Sequence, residues 1–264
     1  MTLRFVLRDD KTVLSERHHH GPLLVQRPFY PEEEACHVYI LHPPGGVAGG
    51  DQLLIDIGAE PDSRVLLTTP AAGKFYQSRG PMAYQTVKIN VARNADLEWF
   101  PQENIAFSGA RAGLHTEIDL TTGARVIAWD SVCLGRPASG EHFDDGRLIN
   151  ALLIRRDGVP LLSERLDVAA DSAIIDAAWG LRGHAVVATM VATPAASGML
   201  AAVRECCVAV KRGIAAPTLI GDLLVLRYLG GSVAEANRIF QKSWEALRPG
   251  VLQRNACLPR IWAT

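Results

Sequence analysis

Residues 55–69 decide the fold, with the sequence IDIGAEPDSRVLLTT. The segment begins with alternating apolar and polar residues, which are typical of a half-buried strand end, and continues through the polar turn GAEPDS. The next run, RVLLTT, is aliphatic and β-branched and favours a second strand. The segment therefore predicts two strands joined by a tight turn.

The same pattern occurs three more times along the chain. It is found in INVARNADLEWF at 89–100, IDLTTGARVIAWD at 118–130 and LDVAADSAIIDAAW at 166–179. Successive units begin 34, 29 and 48 residues apart, which is too irregular for a strict solenoid. Because each unit can bury its apolar face only against its neighbours, we predict a mainly β protein. It should be a superhelical stack of β units, forming a single domain over residues 1–264, with a hairpin turn at 156–158.

About two helices are predicted near the C-terminus. Ser197 is placed to cap the first, over residues 199–206, and the sequence SVAE at 232–235 forms an S-x-x-E capping box for the second. The second helix covers residues 234–248 and should stop at Pro249-Gly250.

An apolar stripe of helical spacing runs along the second predicted helix. Its members are Val233, Ala236, Ile239, Phe240, Trp244 and Leu247. Such a stripe fits packing in the chain's own core. It also fits a partner-docking face, with Ile239, Phe240 and Trp244 as the candidate contacts.

Composition excludes several classes of function. The formal net charge is −1, so no basic excess is available for binding nucleic acid or a membrane surface. The N-terminus lacks the apolar run of a signal peptide, and no stretch is apolar enough to span a bilayer. Five cysteines make an odd number, which favours reduced thiols and a cytoplasmic location.

Two glycine-rich segments suggest turns. The sequence GGVAGG at 45–50 does not match the spacing of a dinucleotide loop, and Gly73-Lys74 lacks the other residues of a P-loop. We interpret 42–51 and 135–141 as rigid turns, in which prolines fix φ and glycines adopt conformations that a side chain would hinder.

No catalytic motif is recognisable, but several polar residues lie beside the apolar runs. They are Asp51, Glu98, Glu103, Asp130, Glu141 and His142. Singly, each fits a solvated face or a hydrogen-bonded turn. They also fit a polar channel or transient binding of a divalent ion, since carboxylate and imidazole groups suit nickel and zinc. The triplet His18-His19-His20 cannot place all three imidazoles on one ion from an extended segment.

Four blocks of sequence resemble the UreD (also UreH) family of urease accessory proteins. They are YILHPPGGVAGGD at 39–51, LTTPAAGKFY at 67–76, PQENIAFSGAR at 101–111 and WDSVCLGRPASGE at 129–141. The segments at 21–32 and 223–230 also match, so the resemblance covers nearly the whole chain. Gly73 stands where the family is expected to carry a hydroxyl residue.

The resemblance implies a non-enzymatic maturation factor with a superhelical β fold and two helices. Such a factor binds the urease structural subunits and, with a UreF-type protein and a UreG-type GTPase, supports nickel delivery. No cofactor is held tightly, and nickel binding is transient. The implied metal relay candidates are Glu103, Asp130, Glu141, Asp51 and His42. The implied structural positions are Pro43, Pro44, Gly45, Gly46, Gly49, Gly50, Thr68, Thr69, Pro70, Lys74, Phe75, Tyr76, Pro101, Gln102, Gly135, Arg136, Pro137, Ser139 and Gly140.

Two alternatives remain open from the residues alone. A β-solenoid-like enzyme acting on carbohydrate would pair carboxylates in a groove, with Glu98, Glu103 and Asp130 as candidates. A β interaction module with other partners would need none of them.

Overall fold

The first three predicted repeats each cross from one β-sheet to another in the computed structural model, which describes residues 1–263. The strands of these residues are β1 (Thr2–Arg8), β2 (Lys11–His18), β3 (Leu24–Val25), β4 (Cys36–Leu41), β5 (Gln52–Ala59), β6 (Arg64–Thr68), β7 (Gly73–Phe75), β8 (Ala83–Val91), β9 (Asp96–Phe100), β10 (Asn104–Ala106), β11 (Arg111–Leu120), β12 (Arg125–Leu134), β13 (Arg147–Arg156), β14 (Val159–Ala169), β15 (Val186–Thr193), β16 (Gly213–Ile220) and β17 (Leu223–Gly230). The helices are α1 (Ser197–Cys207) and α2 (Val233–Leu252), with 3-10 turns at Pro137–Ser139 and Arg260–Ala263.

The first sheet of the described chain has seven strands, in the order β14-β13-β11-β8-β5-β1-β2. The second has the order β16-β17-β15-β12-β9-β6-β4-β3, and β7 and β10 attach to it beside β12. The predicted units become β5–β6, β8–β9 and β11–β12. Their first strands pair in parallel in one sheet and their second strands in the other. The predicted stack of β units is confirmed.

The parallel register explains why the repeated sequences match. Ile57, Ile89 and Ile118 occupy one row of the first sheet, so their side chains form a buried ladder. In the second sheet Val65 and Leu97 are direct neighbours and are both fully buried. The short turns of the repeats therefore lie at one end of the molecule and the long connections at the other.

The fourth predicted unit is wrong in its second half. Residues 173–184 form turns rather than a strand, closed by backbone hydrogen bonds from Leu181 to Ile174 and from Gly183 to Ile175. The hairpin at 156–158 is present and makes β14 antiparallel to β13. The chain consequently leaves β14 at the opposite end of the sheet from β5, β8 and β11, and it crosses through these turns to β15, which pairs antiparallel with β12.

Both helices differ from the prediction at their ends. Ala196, not Ser197, is the N-cap residue of α1. In α2 the Ser232 side chain accepts a hydrogen bond from the Glu235 N–H at 3.2 Å, but the Glu235 carboxylate accepts from the backbone of Lys211 and Arg212 instead of returning to Ser232. Half of the predicted capping box therefore forms.

The helix α2 does not stop at Pro249-Gly250, and it continues to Leu252. Proline costs a helix the hydrogen bond to the carbonyl four residues earlier. Here that carbonyl belongs to Glu245, and both Glu245 and Pro249 are exposed, so water can replace the lost donor for one last turn.

The apolar stripe of α2 packs on the outer face of the second sheet. Ile239, Phe240 and Trp244 are at most 2% exposed. Phe100 stacks on Trp129 with ring centroids 4.0 Å apart, and Trp244 meets Phe100 edge-on. The three predicted docking residues are therefore core residues, which corrects their assignment as a partner-docking surface.

A network of buried charges fixes the last part of the chain, residues 253–263, which we call the C-terminal segment. Arg248 on α2 is fully buried and makes two hydrogen bonds to Glu98, at 2.9 and 2.8 Å, and two to Glu32, at 2.6 and 2.7 Å. Arg254 lies 3.4 Å from Asp96. The C-terminal segment thus runs outside β9, from Arg254 beside Asp96 to a Trp262 ring that contacts Phe100.

Glu32 makes part of the stability depend on pH. Burial alone would raise the pKa of Glu32, but hydrogen bonds from His37 and Arg248 outweigh it and lower the pKa from 4.5 to about 2. A carboxylate with a lowered pKa stabilises the fold above its unfolded value, and this contribution disappears as the pH falls from about 4.5 to about 2. Urea denaturation at several pH values across this range should therefore show that the free energy of unfolding falls more steeply with decreasing pH for the natural chain than for Glu32→Gln. Equal pH dependence in the two proteins would contradict this role of Glu32.

Candidate functional site

The four sequence blocks that resemble UreD meet at one end of the molecule. The strands β4, β6, β9 and β12 are parallel, so their carboxyl ends share one edge of the second sheet. The connections that leave this edge are long, at 42–51, 69–82, 101–110 and 135–146. Motifs far apart in sequence are thereby brought into one set of loops.

A cavity of about 210 Å³ lies between the two sheets beneath these loops, and we call it the motif cavity. Its lining includes the predicted residues His42, Pro43, Gly45, Thr69, Pro70, Lys74, Pro101 and Gln102. The wall is braced by hydrogen bonds. The Gln102 N–H donates to Thr69 Oγ1 at 2.8 Å, and Trp129 Nε1 donates to the Pro101 carbonyl at 2.9 Å. Burial lowers the pKa of His42, so the imidazole in this wall favours its neutral form.

Glycines in the loops lie against other residues where a side chain would not fit. A Cβ on Gly46 would lie 2.3 Å from the Tyr76 ring, whose hydroxyl donates to the Gly45 carbonyl at 3.1 Å. Gly135 has φ of +72°, and its Cβ would lie 2.6 Å from the Glu141 carbonyl oxygen. These contacts lock neighbouring loops together.

The predicted relay residues are not gathered at one point. Glu141 accepts hydrogen bonds from Arg136 and from the Ser108 N–H, and the Arg136 bond is the main cause of its lowered pKa. Asp51 accepts from the Ala48 N–H and closes its own turn. Glu103 is half-buried, and its backbone carbonyl accepts from the Gly73 N–H. Within residues 1–263 no group of three or more His, Cys, Asp or Glu side chains is arranged to hold a metal ion.

Asp130 differs from the other candidates because it points between the sheets. It is 7% exposed, and among residues 1–263 its one side-chain partner is Asn150 Nδ2 at 2.6 Å. Burial raises its pKa. Asp130 lines a cleft of about 540 Å³, which we call the side cleft, between β13 and β14 of one sheet and β15 to β17 of the other.

Sequence analysis missed a second carboxylate in the side cleft. Glu164 on β14 accepts hydrogen bonds from Thr189 Oγ1 at 3.0 Å and from Arg227 Nε at 2.5 Å. The available signal was its position between Leu162 and Leu166, because alternate residues of a strand share a face and both leucines face the core. A carboxylate at an inward position is unusual unless it is paired.

A constriction separates the motif cavity from the side cleft. It is too narrow to admit a water molecule, and its lining includes Trp99, Thr116, Asp130 and Leu152. Trp99 also lines the motif cavity, while Asp130 and Leu152 also line the side cleft. The three spaces therefore form a row between the sheets, closed in the middle by side chains.

Two of the carboxylates suggested for a carbohydrate-active enzyme, Glu98 and Asp130, do not form a pair. Glu98 is fully buried on the outer side of the second sheet, bonded to Arg248 and to Trp244 Nε1. Asp130 points to the opposite side of the same sheet. No shared groove joins them, which argues against the arrangement that glycoside hydrolysis needs.

The remaining predicted features lie apart from these spaces. His18, His19 and His20 are exposed at the end of β2, and none of the five cysteines forms a disulfide in the described part of the chain. In residues 1–263 no helix has the length and apolar character needed to cross a membrane.

Comparison with known proteins agrees with the motif blocks. The family model described as UreD urease accessory protein matches residues 1–263. A urease accessory protein UreD from Pseudomonas putida (strain W619) is 47% identical over 264 residues, which cover all of this chain and 93% of the relative. The UreD of Pseudomonas entomophila is 46% identical with the same coverage, and that of Citrobacter koseri is 45% identical with 90% of its length covered. The chain belongs to the UreD family of urease accessory proteins.

Proposed function

We propose that this protein is a non-enzymatic factor that binds apo-urease and, with UreF-type and UreG-type partners, supports nickel delivery to the urease active site in the cytoplasm. Family membership supports the maturation role. The observation that carries the nickel step is the row of spaces between the sheets, with Asp130 and Glu164 at its wider end.

The donor set suits passage better than storage. Thiolate and imidazole clusters hold nickel tightly, whereas carboxylates, carbonyls and water exchange more readily. Within the described part of the chain Asp130 has one side-chain partner and Glu164 has two, so oxygen lone pairs remain available to a hydrated ion. The side chains of Trp99 and Leu152 must move apart for an ion to pass the constriction. Glu103, Glu141, Asp51 and His42 stay predictions as further relay residues.

A reconstitution tests the maturation role. Urease structural subunits are incubated with nickel and the other accessory proteins, with or without this chain, and urease activity and nickel content are measured. We expect both to be low when the chain is omitted. Equal nickel loading without the chain would contradict the proposed function.

The carboxylate variants test the path itself. Asp130→Asn and Glu164→Gln keep the side-chain shape and remove charge, which raises the barrier for a divalent ion in a poorly hydrated space. We expect the double variant to lower nickel loading several-fold at equal complex yield. Glu117→Gln, on the outer face of the first sheet, should have no effect. Full loading by the double variant would reject these two residues as part of the path.

A further inference from the structure

The strand β16 extends beyond the edge of the sheet that faces it. In the described chain the first sheet ends at β14, whereas the second continues through β17 to β16. Glu164 of β14 reaches Thr189 of β15 and Arg227 of β17, so β14 lies opposite those two strands. The position opposite β16 therefore holds no strand.

The inward face of β16 is consequently bare. Ile214 and Ala216 line the side cleft, and by strand alternation Thr218 and Ile220 share their face. Ile214 is 47% exposed and Ile220 is 46% exposed. The opposite face of the strand, with Ala215 and Leu219, packs into the cluster beneath the helices. One face of β16 is thus packed as in a sandwich, while the other lacks the layer that would cover it.

The neighbouring edge of the first sheet is also open. Over residues 1–263, β14 pairs with β13 alone, and no other backbone group bonds to residues 161–168. The outward-facing N–H and C=O groups of residues 161–168 are free, so this edge is a template for another strand.

We infer that the side cleft binds one extended segment of a partner polypeptide, which adds to β14 as a strand and covers β16. Its backbone would bond to the open edge of β14. Its inward side chains, at alternate positions, would be apolar because they meet Ile214 and Ile220. Trp179, which is 77% exposed in the loop that also places Leu181 in the cleft, offers a further apolar contact. The inference rests on the partners of the proposed function, but it stands whether or not nickel passes between the sheets.

Because β16 extends beyond the first sheet by only one strand, the uncovered face fits a single peptide segment better than a second copy of this chain. If the β14 edges of two copies paired as antiparallel strands, the β14 of the second copy would lie opposite β16 and its covering sheet would lie on the same side as β16. The β17 of the second copy, which faces that second β14, would then overlap with the β16 of the first copy. An isolated strand has no such covering layer, so it fits where a sheet edge does not.

Hydrogen exchange tests the backbone bonds directly. The chain is measured alone, in complex with the UreF-type protein, and in complex with apo-urease. We expect alternate amides of residues 161–169 to exchange at least tenfold more slowly in one of the two complexes and to be unprotected in the free chain. Absence of new protection in both complexes would overturn the proposal. Protection in the free chain that depends on its concentration would also overturn it, in favour of self-association.

Substitution tests the side-chain face. The double variant Ile214→Asp and Ala216→Asp changes exposed positions, so its thermal unfolding should match that of the natural chain, and capture of the protecting partner should fall at least tenfold. The control is Val208→Asp, which alters an apolar residue that is 84% exposed after α1 and should leave capture unchanged. Full capture by the folded double variant would refute the docking site.

Discussion

Replacing Arg248 with alanine should lower the free energy of unfolding by about 3–5 kcal/mol, because removal of one partner leaves buried carboxylates without their counter-charge. Glu98 is fully buried, Glu32 is nearly so, and both take two hydrogen bonds from this guanidinium. The substitution also removes the contact that ties α2 to the Asn255 carbonyl in the C-terminal segment. Urea denaturation followed by tryptophan fluorescence measures the loss.

A surface arginine on the same helix provides the control. Arg238 is 57% exposed and lies 3.8 Å from Glu235, so Arg238→Ala should cost about 0.5 kcal/mol or less. If Arg248→Ala and Arg238→Ala lowered the free energy of unfolding by similar amounts, burial of the Arg248 ion pairs would not explain the loss. The double variant Arg248→Ala and Glu98→Gln should be more stable than Arg248→Ala alone, because it buries one unpaired carboxylate charge fewer.

Gly135→Ala should destabilise the protein by about 2–5 kcal/mol. A left-handed residue other than glycine costs about 1–2 kcal/mol, and forcing an extra carbon into a packed site costs a further 1–3 kcal/mol or so. At Gly135 both apply, because φ is +72° and the new Cβ would lie 2.6 Å from one backbone oxygen and 2.9 Å from a backbone carbon. Denaturation midpoints and soluble yield measure the effect.

Gly140 separates the two causes. Its φ is +73°, but no atom of the described residues lies within 4 Å of a Cβ built there. Gly140→Ala should therefore show the conformational cost alone, about 1–2 kcal/mol. If Gly135→Ala and Gly140→Ala were equally stable, steric contact with the neighbouring loop would not contribute to the destabilisation at Gly135. Neither variant should acquire nucleotide binding, and saturable binding of GTP by the natural chain would contradict the interpretation of these loops as turns.

The β repeats could be predicted because their signal is local. Strand alternation and turn residues over about 15 positions, as in 55–69, fix a strand pair without reference to the rest of the chain. The fourth unit failed for a topological reason, since the hairpin at 156–158 reverses the chain direction before that unit begins.

The site was predictable in part. Motif loops at the carboxyl ends of parallel strands meet by geometry, and the resemblance had already selected their residues. Glu164 and Arg227 are 63 residues apart and meet only because β14 and β17 face each other across the two sheets. No local sequence pattern predicts this contact. The stripe of α2 was ambiguous because an amphipathic pattern shows that a face is buried without showing what buries it.

The arrangement of α2 and the C-terminal segment has a consequence for biosynthesis. The outer face of β6, β9 and β12 is made early in the chain, but its cover comes from residues 197–262, with contacts such as Trp262 to Thr68 across 194 positions. At about 5–20 residues per second, a ribosome needs roughly 3–13 seconds to add that cover. During this interval the nascent chain carries β6, β9 and β12 with their outer apolar face in water, while β16 and β17 of the same sheet are still to be made. Holdase chaperones or an early-binding partner are therefore expected to matter most between translation of β12 and release of the chain.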